Sequence, residues 1–60
     1  MEAFDKLKLL VAGVEEDVAK ADGGNHAAGT RVRKAMQDIK AAAQEIRVKV
    51  LEAKAEPPQA

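Results

Sequence analysis

Cysteine, tryptophan and tyrosine are missing from this chain, and phenylalanine occurs once, at Phe4. Without thiols there is no disulfide staple and no thiolate metal site, a composition that suits a reducing cytoplasm. Long apolar runs are missing too. The longest, Leu9 to Val14, has six residues and includes Gly13, far short of the roughly 20 that span a bilayer. Acids precede the first lysine and no cleavable apolar stretch follows, so no signal peptide is expected and a soluble cytoplasmic protein is the default reading. An overall excess of charge is absent as well: ten Lys and Arg balance ten Asp and Glu, which argues against a protein that holds polyanions by bulk charge. Histidine occurs once, at His26, with no second ligand to share a metal. There is no P-loop and no nucleophile–base set, so no cofactor, no metal and no enzymatic activity are expected.

What the 60 residues do contain is alanine, charge and a helical period. Of the apolar residues thirteen are Ala, which leaves fifteen larger apolar side chains. That is little with which to build a core in a chain near the lower size limit for folding alone. Apolar residues at Phe4, Leu7, Val11, Val14, Val18 and Ala21 alternate steps of three and four, a heptad seam. A second seam runs through Val32, Met36, Ile39, Ala43, Ile46, Val50 and Ala53. Between them, Gly23 can take the left-handed conformation that closes a helix, and Asn25 can cap the next one.

The expected fold is therefore all-α: an antiparallel two-helix hairpin, coiled-coil-like, forming a single domain over residues 1–56. Its helices should cover about 3–22 and 25–55, with the turn at 22–24. Pro57 and Pro58 end the regular structure and leave 57–60 as a loose tail. Gly13 and Gly29 fall within the helices, where each costs about 1 kcal/mol against Ala; a close helix approach would account for them. A hairpin cannot bury both sides of its seam. Leu9, Leu10, Val48 and Leu51 fall outside it, beside Phe4 and Val50. Either these residues broaden one seam, or they form a self-association surface that completes a four-helix arrangement by homodimerisation.

Charge is distributed unevenly. Up to Gly24 there are three Lys against six acids. From Asn25 to Val50, six basic residues stand against Asp38 and Glu45. Arg33, Lys40, Arg47 and Lys54 recur every seven residues, a stripe of roughly 32 Å at 1.5 Å per residue. Gln37 and Gln44 follow the first two by four positions. Such a row can neutralise backbone phosphates without reading bases. The competing reading is internal pairing, with Asp22 facing Arg33, Glu15 facing Lys40 and Lys8 approaching Arg47. Arg31, Arg33 and Lys34 are harder to explain by packing, because the helix dipole disfavours cations in the first turns. Together with free amides and the Thr30 hydroxyl they would suit a phosphate.

The run Gly24-Asn25-His26-Ala27-Ala28-Gly29-Thr30-Arg31-Val32-Arg33-Lys34, then Met36-Gln37 and Ala43-Gln44-Glu45-Ile46-Arg47, resembles the bacterial linker-histone-like nucleoproteins. These comprise the chlamydial histone-like protein and short Bacteroidetes-type relatives. Resemblance covers most of residues 4–50. It implies a DNA-associated chromatin protein that organises or compacts the nucleoid, with Arg31, Arg33, Lys34, Lys40 and Arg47 as the basic residues concerned. Two departures stand out: His26 takes a position where Lys is typical, and AKAEPPQA replaces a long Lys-rich tail that would supply much of the electrostatic affinity.

The expected function is thus non-enzymatic, sequence-independent binding of double-stranded DNA by a cytoplasmic, nucleoid-associated histone-like protein. Thr30, Arg31, Arg33, Lys34, Lys40 and Arg47 would contact phosphate, and Phe4, Leu9, Leu10, Val48, Val50 and Leu51 would mediate dimerisation. The alternative is a structural coiled-coil module that assembles with itself or another protein and binds no nucleic acid.

Overall fold

In a computed structural model that describes residues 1–54, the chain forms two helices, α1 (Glu2–Asp22) and α2 (His26–Lys54), packed against each other. The described residues contain no strand. The expected all-helical hairpin holds. The chain end at 55–60, including Pro57, Pro58 and the anticipated tail, lies outside the described residues, as does the side chain of Lys54.

Local chemistry sets the helix ends. Glu2 and Asp5 occupy the first turn of α1 and Lys20 its last, each on the favourable end of the helix dipole. The turn differs from expectation by one residue. Gly23 keeps an ordinary backbone (φ −83°), and Gly24 takes the left-handed one (φ 97°). Asn25 N–H then donates to the Lys20 carbonyl at 3.0 Å and Gly24 N–H to that of Ala21 at 2.9 Å. This pair of bonds is a Schellman closure with Gly24, not Gly23, as the residue beyond the cap. Asn25 caps α2 as expected: its Oδ1 accepts from Ala28 N–H at 2.9 Å.

The two helices meet along Ala3, Leu7, Leu10, Val14, Asp17 and Ala21 on α1, and Ala28, Val32, Ala35, Ile39, Ala42 and Ile46 on α2, all buried or half-buried. This seam shares positions 7, 14, 21 and 32, 39, 46 with the expected one. In between, it uses the residue one place earlier: 3, 10 and 17 in place of 4, 11 and 18, and 35 in place of 36; Ala42 is buried, with the expected Ala43 half-buried beside it. Ala at positions 3, 28, 35 and 42 lets the backbones approach closely, and Asp17 is accepted in the seam because Arg31 pairs with it. Leu10, expected on an outer surface, consequently turns into the hairpin, half-buried.

The buried set among the described residues is only Ala3, Val14, Ala28 and Ala42. Gly13 and Gly29 are not sites of close approach, since a Cβ at either position would meet nothing within 4 Å. Eight residues longer than α1, α2 runs past the start of its partner by about 12 Å at 1.5 Å per residue.

Candidate nucleic-acid interface

The first turn of α2 carries no acid, so the positive end of its dipole is not offset locally. The cations that follow go to different places. Arg31 leans back across the hairpin onto Asp17: its Nε donates to Oδ2 at 3.0 Å and its Nη2 to Oδ1 at 2.9 Å. The Asp17 side chain is 22% exposed and that of Arg31 53%. The two-pronged hydrogen bond from Arg31, reinforced by its charge, lowers the Asp17 carboxyl below the ordinary range. The same bond raises the Arg31 guanidinium further above its usual value. Arg31 therefore belongs to the fold first: it fixes the register of α2 on α1 by a planar bidentate fit that lysine could not make.

Thr30 is also engaged. Its hydroxyl donates to the His26 carbonyl at 3.3 Å, back along its own helix. A phosphate that required the Thr30 proton would have to displace that bond.

Arg33, Lys34, Lys40 and Arg47 are exposed, and none has a carboxylate within 4.0 Å among the described residues. The anticipated cross-hairpin pairs Asp22–Arg33 and Glu15–Lys40 do not form. The ion pairs present are Arg31–Asp17 and, within α1, Lys20–Glu16 at 3.4 Å. The cause is again the one-residue shift of the seam, which puts Asp17 opposite the start of α2 and leaves Glu15 and Asp22 on the outer edge of α1.

Two shallow, open depressions lie along the basic side of α2. One, at the tip, is lined by Ala21, Gly24, Asn25, His26, Gly29, Thr30 and Arg33. The other is lined by Gln37, Lys40, Ala41, Ala43, Gln44 and Arg47. The structure thus brings the predicted Lys40 and Arg47 together with both glutamines, and Arg33 together with Thr30 and the helix start.

One feature escaped the sequence reading. Asp38, Glu45 and Glu52 also recur every seven residues, and all three are exposed. They occupy the opposite flank of α2, where Asp38 and Glu45 share a groove with Lys6 and Leu10 of α1. The heptad spacing of these acids was the available signal. The acids of α2 are therefore confined to one flank, which they share with Lys34 and Lys49, while the flank of Arg33, Lys40 and Arg47 carries no acid. The stripe is far more polarised than the net charge of the chain suggests.

A short hairpin with shallow open surfaces and an acid-free basic flank on its longer helix defines a small two-helix protein with a charged face. The chain belongs to the histone H1-like protein Hc1 family, whose model matches residues 1–56. That family is one of DNA-binding, nucleoid-associated nucleoproteins. No curated protein and no solved structure gives a significant match. Among the described residues, no helix is long and apolar enough to cross a membrane, and no group of three or more His, Cys, Asp or Glu is placed to hold a metal ion.

Proposed function

We propose that the hairpin binds the phosphate backbone of double-stranded DNA through Arg33, Lys34, Lys40 and Arg47, independently of sequence, and so helps organise or compact the nucleoid. The observation that carries this reading is the acid-free flank of α2. Three cations at seven-residue spacing are exposed without carboxylate partners, while Asp38 and Glu45 lie on the other flank. From Arg33 to Arg47 the row covers about 21 Å at 1.5 Å per residue, long enough to follow successive phosphates along one groove edge. Gln37 and Gln44 border the row and can donate to phosphate oxygens. Arg31 and Thr30 take a supporting part: Arg31 ties the helix start to α1, and the Thr30 hydroxyl bonds back to the His26 carbonyl of its own helix.

Self-association belongs to the same reading. Two hairpins joined together present two basic rows, and the second binding event becomes intramolecular where the geometry allows both to engage. The base edges have no reader here. With one phenylalanine and no Trp or Tyr, there is also no stacking platform of the kind that single-strand binders use.

Gel shift on a random-sequence duplex tests the assignment. The triple variant Arg33→Ala/Lys40→Ala/Arg47→Ala should lose binding at low salt, and Asp38→Ala/Glu45→Ala should keep or strengthen it. Equal binding by wild type and the triple variant would overturn the proposed site.

A further inference from the structure

The fully buried positions of this hairpin are mostly small, its larger seam residues are half-buried, and several large apolar residues stay outside. Three of the four buried residues are Ala, and the fourth is Val14. Meanwhile Phe4, Val11, Val18, Met36 and Val50 are each 41–48% exposed. So small a core offsets little of the roughly 1–2 kcal/mol per residue that ordering the backbone costs. The hairpin needs apolar burial that it does not provide for itself.

Those five residues share one side of the molecule. Phe4 and Val11 each stand one position after a seam residue of α1 (Ala3, Leu10), and Val18 follows Asp17. On α2, Met36 and the half-buried Ala43 follow Ala35 and Ala42, and Val50 continues their row. One position on is a turn of about 100° in the right-handed sense. Because the helices run antiparallel, that rotation brings both rows to the same side of the hairpin. The opposite side is polar, with Lys6, Asp38 and Glu45 along its groove, and it holds the Arg31–Asp17 bridge.

Immediately outside each apolar row, four residues further on, lies a charged row at the same seven-residue spacing. Lys8, Glu15 and Asp22 border α1, and Arg33, Lys40 and Arg47 border α2. The Lys8 ammonium stands over the Phe4 ring, 5.5 Å from its centroid. The face as a whole is a double apolar strip with a predominantly acidic edge and a basic edge.

We infer that a second copy of this chain covers the Phe4/Val11/Val18/Met36/Val50 face, with both turns at the same end of a four-helix bundle. Charge selects this arrangement. With the turns together, each α1 packs on the partner's α2, so Asp22 and Glu15 meet Arg33 and Lys40, and only Lys8 meets a like charge, Arg47. With the turns at opposite ends, α2 would lie on α2, and three cations would face three cations. The area permits it: one of four long sides of a body 50 × 16 × 14 Å, with 4904 Å² of surface, is at most about 1,200 Å², against about 800 Å² per partner in a standard interface. The inference deepens the self-association proposed above and rests on it, but it does not depend on DNA binding.

The test uses the full chain without DNA. Light scattering should give the mass of two chains, and the melting temperature should rise with protein concentration, as it does only when folding is linked to association. Val11→Glu and Met36→Glu should each abolish the dimer, and Leu9→Glu, at the outward face of α1, should leave it intact and folded. The chain has no cysteine, so Ala27→Cys at the tip accepts a single spin label. Turns together give a label separation of about two helix diameters, roughly 20–25 Å; turns opposed give a separation near the 50 Å length of the body. A monomer whose melting is independent of concentration overturns self-association altogether. A dimer that tolerates Glu at both positions 11 and 36 overturns the face, and a separation near the body length overturns the arrangement. The gel shift reads phosphate binding separately, and failure of one reading leaves the other standing; a dimer with the turns together brings the partner's Glu15 and Asp22 near the row that the DNA would use.

Discussion

Arg31 and Arg33 are two residues apart and chemically identical, yet their positions assign them opposite parts, and salt dependence separates the two. Each phosphate neutralised on duplex DNA contributes about 0.9 to the slope of log affinity against log salt. Four cations without carboxylate partners, Arg33, Lys34, Lys40 and Arg47, give a slope of about −3.6 per hairpin, or a loss of about 150-fold between 50 and 200 mM salt. Arg33→Ala should flatten the slope to about −2.7. Arg31→Ala should leave it near −3.6, because the Arg31 charge is already matched by Asp17 at 2.9–3.0 Å. Asp17→Ala should do the reverse, freeing Arg31 and steepening the slope to about −4.5. These figures hold for a single hairpin; in a bundle with the turns together, Arg33 and Lys40 lie near the partner's Asp22 and Glu15, and their share of the slope falls accordingly.

The assay is anisotropy of a fluorescently labelled duplex titrated at five or so salt concentrations, with helicity checked by circular dichroism for each variant. The slope is the quantity to compare: affinity at one salt concentration mixes lost contacts with lost stability, whereas the slope counts phosphates. If Arg31→Ala flattens the slope as much as Arg33→Ala, and Asp17→Ala leaves it alone, then the Asp17–Arg31 bridge opens on DNA. The division of labour drawn from it would then be wrong.

Four further outcomes follow from the local structure. The Asp17 carboxyl is held below its ordinary value by Arg31, so its contribution to stability is complete above a pH of about 3.9 and is lost as pH falls through the lower folded value. The melting-temperature advantage of wild type over Asp17→Asn should accordingly be present at pH 6 and vanish in strong acid. Gly13→Ala, whose Cβ would meet nothing within 4 Å, should stabilise the fold by about 1 kcal/mol, a rise of about 4–8 °C in melting temperature. Gly24→Ala should destabilise by roughly 1–2 kcal/mol, because Gly24 has φ 97°; Gly23→Ala, at an ordinary φ, should be milder, and thermal melts compare the two. Asn25→Ala removes the acceptor for Ala28 N–H and should cost about 1 kcal/mol, read by the same melts.

The hairpin, its caps and the basic stripe were legible in the sequence because each rests on local chemistry. Period fixes a helix, Asn25 its start, and seven-residue spacing the side on which Arg33, Lys40 and Arg47 stand. The turn glycine was less legible. Two consecutive glycines are both free to take a positive φ, and only the hydrogen bonds from Gly24 and Asn25 to Ala21 and Lys20 decide between them. The fate of Arg31 was not legible at all. It depends on a charged residue, Asp17, occupying a seam position that apolar periodicity would never assign to it.

The seam itself carries the larger physical lesson. A count of apolar steps of three and four started at Phe4 picks out 4, 11, 18 and, through Met36, 36, 43, 50. Phe4, Val18 and Met36 outweigh Ala3, Asp17 and Ala35 in such a count, while 10 against 11 and 42 against 43 are left open. Helix approach rewards the opposite choice, because Ala at 3, 28, 35 and 42 brings the two backbones close. Both selections share Leu7, Val14, Ala21, Val32, Ile39 and Ile46, so the chain carries two overlapping heptad patterns, and periodicity cannot say which of them is used within one molecule. The hairpin uses the small pattern. The large pattern then remains on the surface at the same spacing and along the same length, with a charged row on each border. A solvent-facing side has no reason to keep a heptad of Phe, Val and Met, whereas a second seam does. The misassigned positions are therefore the ones that a partner would fill.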